Sequence, residues 1–127
     1  MSFIVNYQAG GRIDYPFQPT LQKPIMKSIN LEMDSPNQKY NEVLYLDTEA
    51  EITSVGIIPN NFTIGDYWNM WIGDKLICDE IYVKNVSEGI FLMVVYSIQA
   101  NEPIEIEYYN KSGKKNNWFV FNFLVPD

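Results

Sequence analysis

Three aromatic residues stand where their chemistry could matter: Tyr67, Trp71 and Trp118. Tyr67 and Trp71 share one face of an alternating run, with Asn69 between them. Trp118 opens the final apolar run, and Tyr109 closes the run before it. Aromatic rings beside amide and acidic groups can stack on sugar rings and bind their hydroxyls. That makes Tyr67, Trp71 and Trp118 a candidate glycan site. The same rings can also fill the core or cover a subunit interface. With 3 Trp, 9 Tyr and 7 Phe in the chain, interior packing is the default fate of any one ring.

The other reactive side chains point away from catalysis. Histidine is absent, which removes Ser-His-Asp and Cys-His arrangements and any histidine zinc site. Cys78 is the one cysteine, so it forms no internal disulfide, and it reads as a buried thiol with no base to activate it. The carboxylates Asp47, Glu49 and Glu51, then Asp79 and Glu80, come in groups. Acid–base work needs paired carboxylates with pKa values driven apart. Glu49 and Glu51 lie in a loop and at a strand start, where solvated carboxylates are common. Calcium could use such oxygens, but the spacing is not that of an EF-hand loop. No phosphate-cradling glycine loop appears either. The expectation is a non-enzymatic protein with no catalytic residue, no metal ligand and no cofactor.

Charge narrows the partners. The net charge is −7, and residues 41–110 hold two basic against twelve acidic side chains, or −10. An acidic body repels phosphate backbones, so no nucleic acid is expected as a partner. Lys111, Lys114 and Lys115 form a basic cluster that reads as a charged loop, or as a contact for an acidic partner. The longest apolar run, Ile90 to Val95, is far short of the roughly 20 residues that cross a bilayer. No signal peptide is visible at Met1-Ser2-Phe3-Ile4-Val5. No membrane partner is expected. Three Asn-X-Ser/Thr matches, at Asn61, Asn85 and Asn110, read as chance.

Strands must position these residues. From Lys27 onward the chain alternates apolar and polar positions, the period of strands. Gly73-Asp74 between Ile72 and Lys75 predicts a hairpin with a type II′ turn, since Gly tolerates the positive φ required. The apolar stretch Gly89 to Ile98 reads as a central strand. Ile104, Ile106 and Tyr108 alternate with Glu105, Glu107 and Tyr109, so one face there is wet. Phe119, Phe121, Phe123 and Val125 share a side of the last strand. The pattern predicts an all-β chain: an antiparallel β-sandwich of about eight strands, jelly-roll-like. Residues 1–26 differ. Gly10-Gly11, Pro16, Pro19 and Pro24 interrupt them, and their apolar residues follow no helical period. They read as an extended N-terminal arm, with residues 27–127 as the β-sandwich domain.

The second half, residues 62–125, resembles small β-sandwich accessory proteins of tailed-bacteriophage virions, of the decoration, head-fibre or tail-tip type. The resemblance rests on Gly65-Asp66-Tyr67-Trp68 and the Ile72-Gly73-Asp74-Lys75 hairpin. It continues through Ile98-Gln99-Ala100-Asn101-Glu102-Pro103-Ile104, Tyr109-Asn110-Lys111-Ser112-Gly113 and the aromatic strand from Trp118. It implies a structural protein of a phage particle, made in the host cytoplasm and built into the virion. Its partners would be other virion proteins and further copies of itself. A trimer would suit a fibre or capsid knob. The arm would then dock on a neighbour and bury Phe3, Ile4, Tyr7, Tyr15 and Phe17. The alternative is a carbohydrate-binding, lectin-like module that recognises cell-surface glycans through Tyr67, Trp71 and Trp118.

Overall fold

The computed structural model describes residues 6–8, 11–13, 20–84 and 88–127, with backbone alone for 6–8, 11–13 and 90–95. The elements are β1 (Asn6–Gln8), β2 (Gly11–Ile13), β3 (Lys23–Met33), β4 (Gln38–Leu44), β5 (Ala50–Ile58), β6 (Tyr67–Ile72), β7 (Lys75–Tyr82), β8 (Glu88–Ile98), β9 (Ile104–Asn110) and β10 (Lys115–Val125). β1 and β2 form a small antiparallel hairpin of their own. The remaining eight strands make two four-stranded sheets, ordered β3-β10-β5-β8 and β4-β9-β6-β7. Among the described residues no helix is long and apolar enough to cross a membrane.

The topology is one hairpin rolled up. β6 and β7 pair across Gly73-Asp74. Outward from that tip β5 pairs with β8, β4 with β9 and β3 with β10, all antiparallel. Successive pairs fall on alternate sheets, and β10–β5 and β9–β6 contacts knit each sheet together. This is a jelly roll. The turn at its tip has the predicted form: Gly73 has φ 61 and Asp74 is not among the positive-φ residues, as a type II′ turn requires.

The period of two decides what is buried. β10 alternates without a break, so Phe119, Phe121, Phe123 and Val125 enter the core. They face Trp68, Met70 and Ile72 of β6, and Ile104, Ile106 and Tyr108 of β9. Trp68 and Phe119 meet edge to face, with centroids 5.2 Å apart. In β5 the alternation slips by one at Thr53, a bulge against β10, so Ile52 and Val55 both point inward.

One expectation is corrected here. Among the described residues β8 is an edge strand with β5 as its sole neighbour, not a central one. Apolar composition bears on the surroundings of side chains; it does not report how many hydrogen-bonded neighbours a strand has. The boundary at 26/27 falls inside β3, because Lys23 to Met26 pair with Val125 to Asn122 of β10.

Candidate functional site

The outer face of the β4-β9-β6-β7 sheet carries one half of the candidate site. Trp68, Met70 and Ile72 are buried, so Tyr67, Asn69 and Trp71 of β6 project from the opposite side. The ladder then sets their neighbours. Tyr67 lies between Tyr109 of β9 and Tyr82 of β7. Its ring centroid is 5.2 Å from that of Tyr109 and 5.7 Å from that of Tyr82. The row is part open, with Tyr82 54% exposed. The Tyr109 hydroxyl donates to Asn37 Oδ1 at 3.1 Å. One step down the ladder, Asn69 stands opposite Glu107 and donates from Nδ2 to Glu107 Oε1 at 3.2 Å. Lys39 Nζ approaches the same oxygen at 3.7 Å. Next, Trp71 stands opposite Glu105, and Asn41 Nδ2 donates to Glu105 Oε2 at 2.9 Å. Leu76 is opposite Trp71 on β7.

The third ring does not belong with these. Trp118 is in β10 of the other sheet and alternates with buried Asn117 and Phe119, so it faces outward on the far side of the sandwich, 43% exposed. Tyr67 and Trp71 are brought together; Trp118 is not. Tyr82 and Tyr109 complete the aromatic row in its place. A two-residue turn at Gly73-Asp74 would put Glu80 opposite Tyr67. Two bulges in the β6–β7 ladder shift the register so that Tyr82 arrives there instead. Asn69 Oδ1 accepts the Glu80 N–H at 2.6 Å, and Glu80 has φ 50. The signal for Tyr82 was thus hidden in bulges that alternation does not reveal.

The carboxylate groups have other tasks. Glu51, expected to be solvated, is 6% exposed. It accepts the Thr20 N–H at 2.9 Å, the Thr20 hydroxyl at 2.9 Å and the Leu21 N–H at 2.7 Å. It therefore clamps the point where the chain enters the sandwich. Among the described residues no three acidic or cysteine side chains gather as a metal site. Of the arm residues, Phe3, Ile4, Tyr15 and Phe17 lie outside the described residues, and Tyr7 contributes backbone to β1 opposite Arg12.

The basic cluster divides. Lys111 and Lys114 are exposed, but Lys115 is buried and paired with Asp66 at 3.0 Å, both side chains fully enclosed. Lys115 is the first residue of β10, and the alternation that buries Phe119 buries it too. Asp66 also accepts the Tyr108 hydroxyl at 2.8 Å, the Lys111 N–H at 2.8 Å and the Thr63 N–H at 3.0 Å. Lys115 donates to Thr63 Oγ1 at 3.0 Å, and also to Asn110 Oδ1 and the Ser112 carbonyl. A buried ion pair this well satisfied ties the β5–β6 loop to the β9–β10 loop. Asn110, one of the glycosylation matches, is fully buried with its amide nitrogen donating to the Ser35 and Gly113 carbonyls. Burial pushes the Cys78 thiol up to about 11, the opposite of an activated nucleophile.

Comparison with known proteins agrees with this architecture. A family model described as a domain of unknown function, DUF8551, matches residues 21–127. No curated protein matches the sequence. Among solved structures, the chain is similar to one from the capsid asymmetric unit of cyanophage Pam1. The TM-score is 0.59 at 11% identity, over 95% of this chain and 98% of that one. It also resembles the protein FLHE, with a TM-score of 0.49 and 10% identity, over 84% of this chain and 100% of that one. At such identities the likeness to the capsid chain is one of fold.

Proposed function

The chain belongs to the DUF8551 family, and we propose that it is a non-enzymatic structural protein of a bacteriophage particle. In this reading it is a capsid-decoration, head-fibre or tail-accessory protein that assembles through its N-terminal arm and sandwich surfaces. The observation that supports the reading is the likeness of fold, over nearly the whole chain, to a chain from a phage capsid asymmetric unit. The Glu51 clamp adds to it. Thr20 and Leu21 are fixed beside β5, so the preceding residues start from a defined place on the sandwich. The mechanism is burial. Each of Phe3, Ile4, Tyr7, Tyr15 and Phe17 that leaves water contributes roughly 1.5–3 kcal/mol. Partners in this reading are further copies of the chain and other virion proteins, closed by symmetry where the copies are identical.

The test is solution mass by light scattering, on the full chain and on a chain lacking residues 1–19. The cut belongs before Thr20, because starting at Lys27 would strip four residues from β3. The expected result is a defined oligomer that falls to folded monomers on truncation. A truncated chain that keeps the full-length mass overturns assembly through the arm. A truncated chain that unfolds assigns the arm to the protein's own core.

A further inference from the structure

We propose that the outer face of the β4-β9-β6-β7 sheet binds a neutral glycan, laid along the Tyr109-Tyr67-Tyr82 row and reaching toward Trp71. This goes beyond the assembly reading and does not depend on it, since the arm's root at Glu51 lies on the other sheet.

The first argument is the platform. Three tyrosine rings from three adjacent strands touch in series, at 5.2 and 5.7 Å between centroids. Their mutual contacts hold them in place before any ligand arrives, so little ordering remains to be done on binding. Trp71 is four residues along β6 from Tyr67, or roughly 13 Å at the rise of a strand. The face therefore offers two apolar stacking points at the separation of sugars within one short chain.

The second argument is what lies between them. Glu107 is held through Oε1 by Asn69 and Lys39, and Glu105 through Oε2 by Asn41. The second oxygen of each carboxylate accepts no hydrogen bond among the described residues. These are acceptors fixed in direction, facing a surface flanked by rings. A ligand that suits them presents hydroxyl donors at its edge and C–H groups on its face, which describes a sugar. The centres of protein–protein interfaces are depleted of charge; here the carboxylates sit at the centre.

The third argument is sign. Glu105 and Glu107 occupy the face and belong to the segment 41–110 that carries −10. Lys39, across the ladder from Tyr109, reaches Glu107 at 3.7 Å as the counter-charge among the described residues. Sialic, uronic or phosphorylated sugars would be repelled.

The experiment presents immobilised malto-, cello- and chito-oligosaccharides and a neutral galactan to the full chain, with polysialic acid and heparin as acidic probes. Retention on at least one neutral glycan and on neither acidic one is expected. Trp71→Ala and Tyr82→Ala should each weaken that retention by about threefold to tenfold, the scale of a lost ring stack. Both variants should melt within a few degrees of the parent chain. Trp118→Ala, on the opposite sheet, should leave retention unchanged. No retention on any neutral glycan, preference for an acidic one, or an equal loss in Trp118→Ala overturns the proposal. Light scattering on the same variants separates the two readings, because the oligomer persists in them if assembly runs through the arm.

Discussion

Burial pushes the Cys78 thiol up from 9.0 to about 11 and drives the Tyr108 phenol up from 10.0, with the Asp66 carboxylate beside it adding to the effect. Both groups are neutral when protonated, and the folded state holds their protons more tightly than the unfolded one does. Their contribution to stability is therefore complete below pH 9. It is lost as the pH rises, first because unfolded Cys78 ionises and then because unfolded Tyr108 does. For Cys78 the loss by pH 11 amounts to about 2 kcal/mol. Denaturant melts from pH 8 to 11 should show a falling midpoint. Cys78→Ala should remove the part that begins at 9 and leave the tyrosine part. A parent chain with a level midpoint across that range would contradict the burial of both groups. The thiol's inertness was legible from Ile77-Cys78-Asp79. The role of Asp66 and Lys115 was not. A charged residue beside Gly113 and Lys114 looks like any solvated loop charge, and only the β10 register turns Lys115 inward.

At the scale of elements, the hairpin tip is the most sharply specified feature. Gly73 has φ 61, and a Cβ there would lie 2.7 Å from Glu102 Oε2. Left-handed backbone costs a non-glycine residue roughly 1–2 kcal/mol, so Gly73→Ala should lower stability by about that amount. Gly89, in β8, has open space where a Cβ would stand, and Gly89→Ala should be neutral or slightly stabilising. Equal losses at the two sites, read in urea melts, would remove the special status of the turn. Alternation placed β9 and β10 and named their core residues, because a strict period of two survives wherever the ladder is regular. It went astray at bulges. The extra residues in β7 carry Tyr82 into the aromatic row, and no local pattern announces a bulge. Sheet order was also beyond the pattern, as β8 shows. An apolar strand and an edge strand are not exclusive when the roll, rather than hydropathy, decides which strands have two neighbours.

For the whole molecule, the clamp at Thr20 and Leu21 bears on the assembly proposed above. Glu51 lies on β5, between buried Ala50 and Ile52, and points outward beside Leu124 of β10. Its carboxylate holds two consecutive backbone N–H groups and one hydroxyl. Removing it frees Thr20 and Leu21, and ordering a residue's backbone costs roughly 1–2 kcal/mol. An arm that docks on a neighbour would then have to order these two residues at the moment of docking. Glu51→Ala should therefore keep the fold, with a loss of about 1–3 kcal/mol for the hydrogen bonds. If copies assemble through the arm as proposed, the Glu51→Ala oligomer should dissociate at a concentration about tenfold or more above that of the parent chain. Glu51→Gln retains one acceptor oxygen and should fall between the two. Sedimentation across a dilution series measures the shift. A folded Glu51→Ala chain with the parent's dissociation concentration would mean that the clamp serves the sandwich alone, and that the direction in which the arm leaves plays no part in how copies associate.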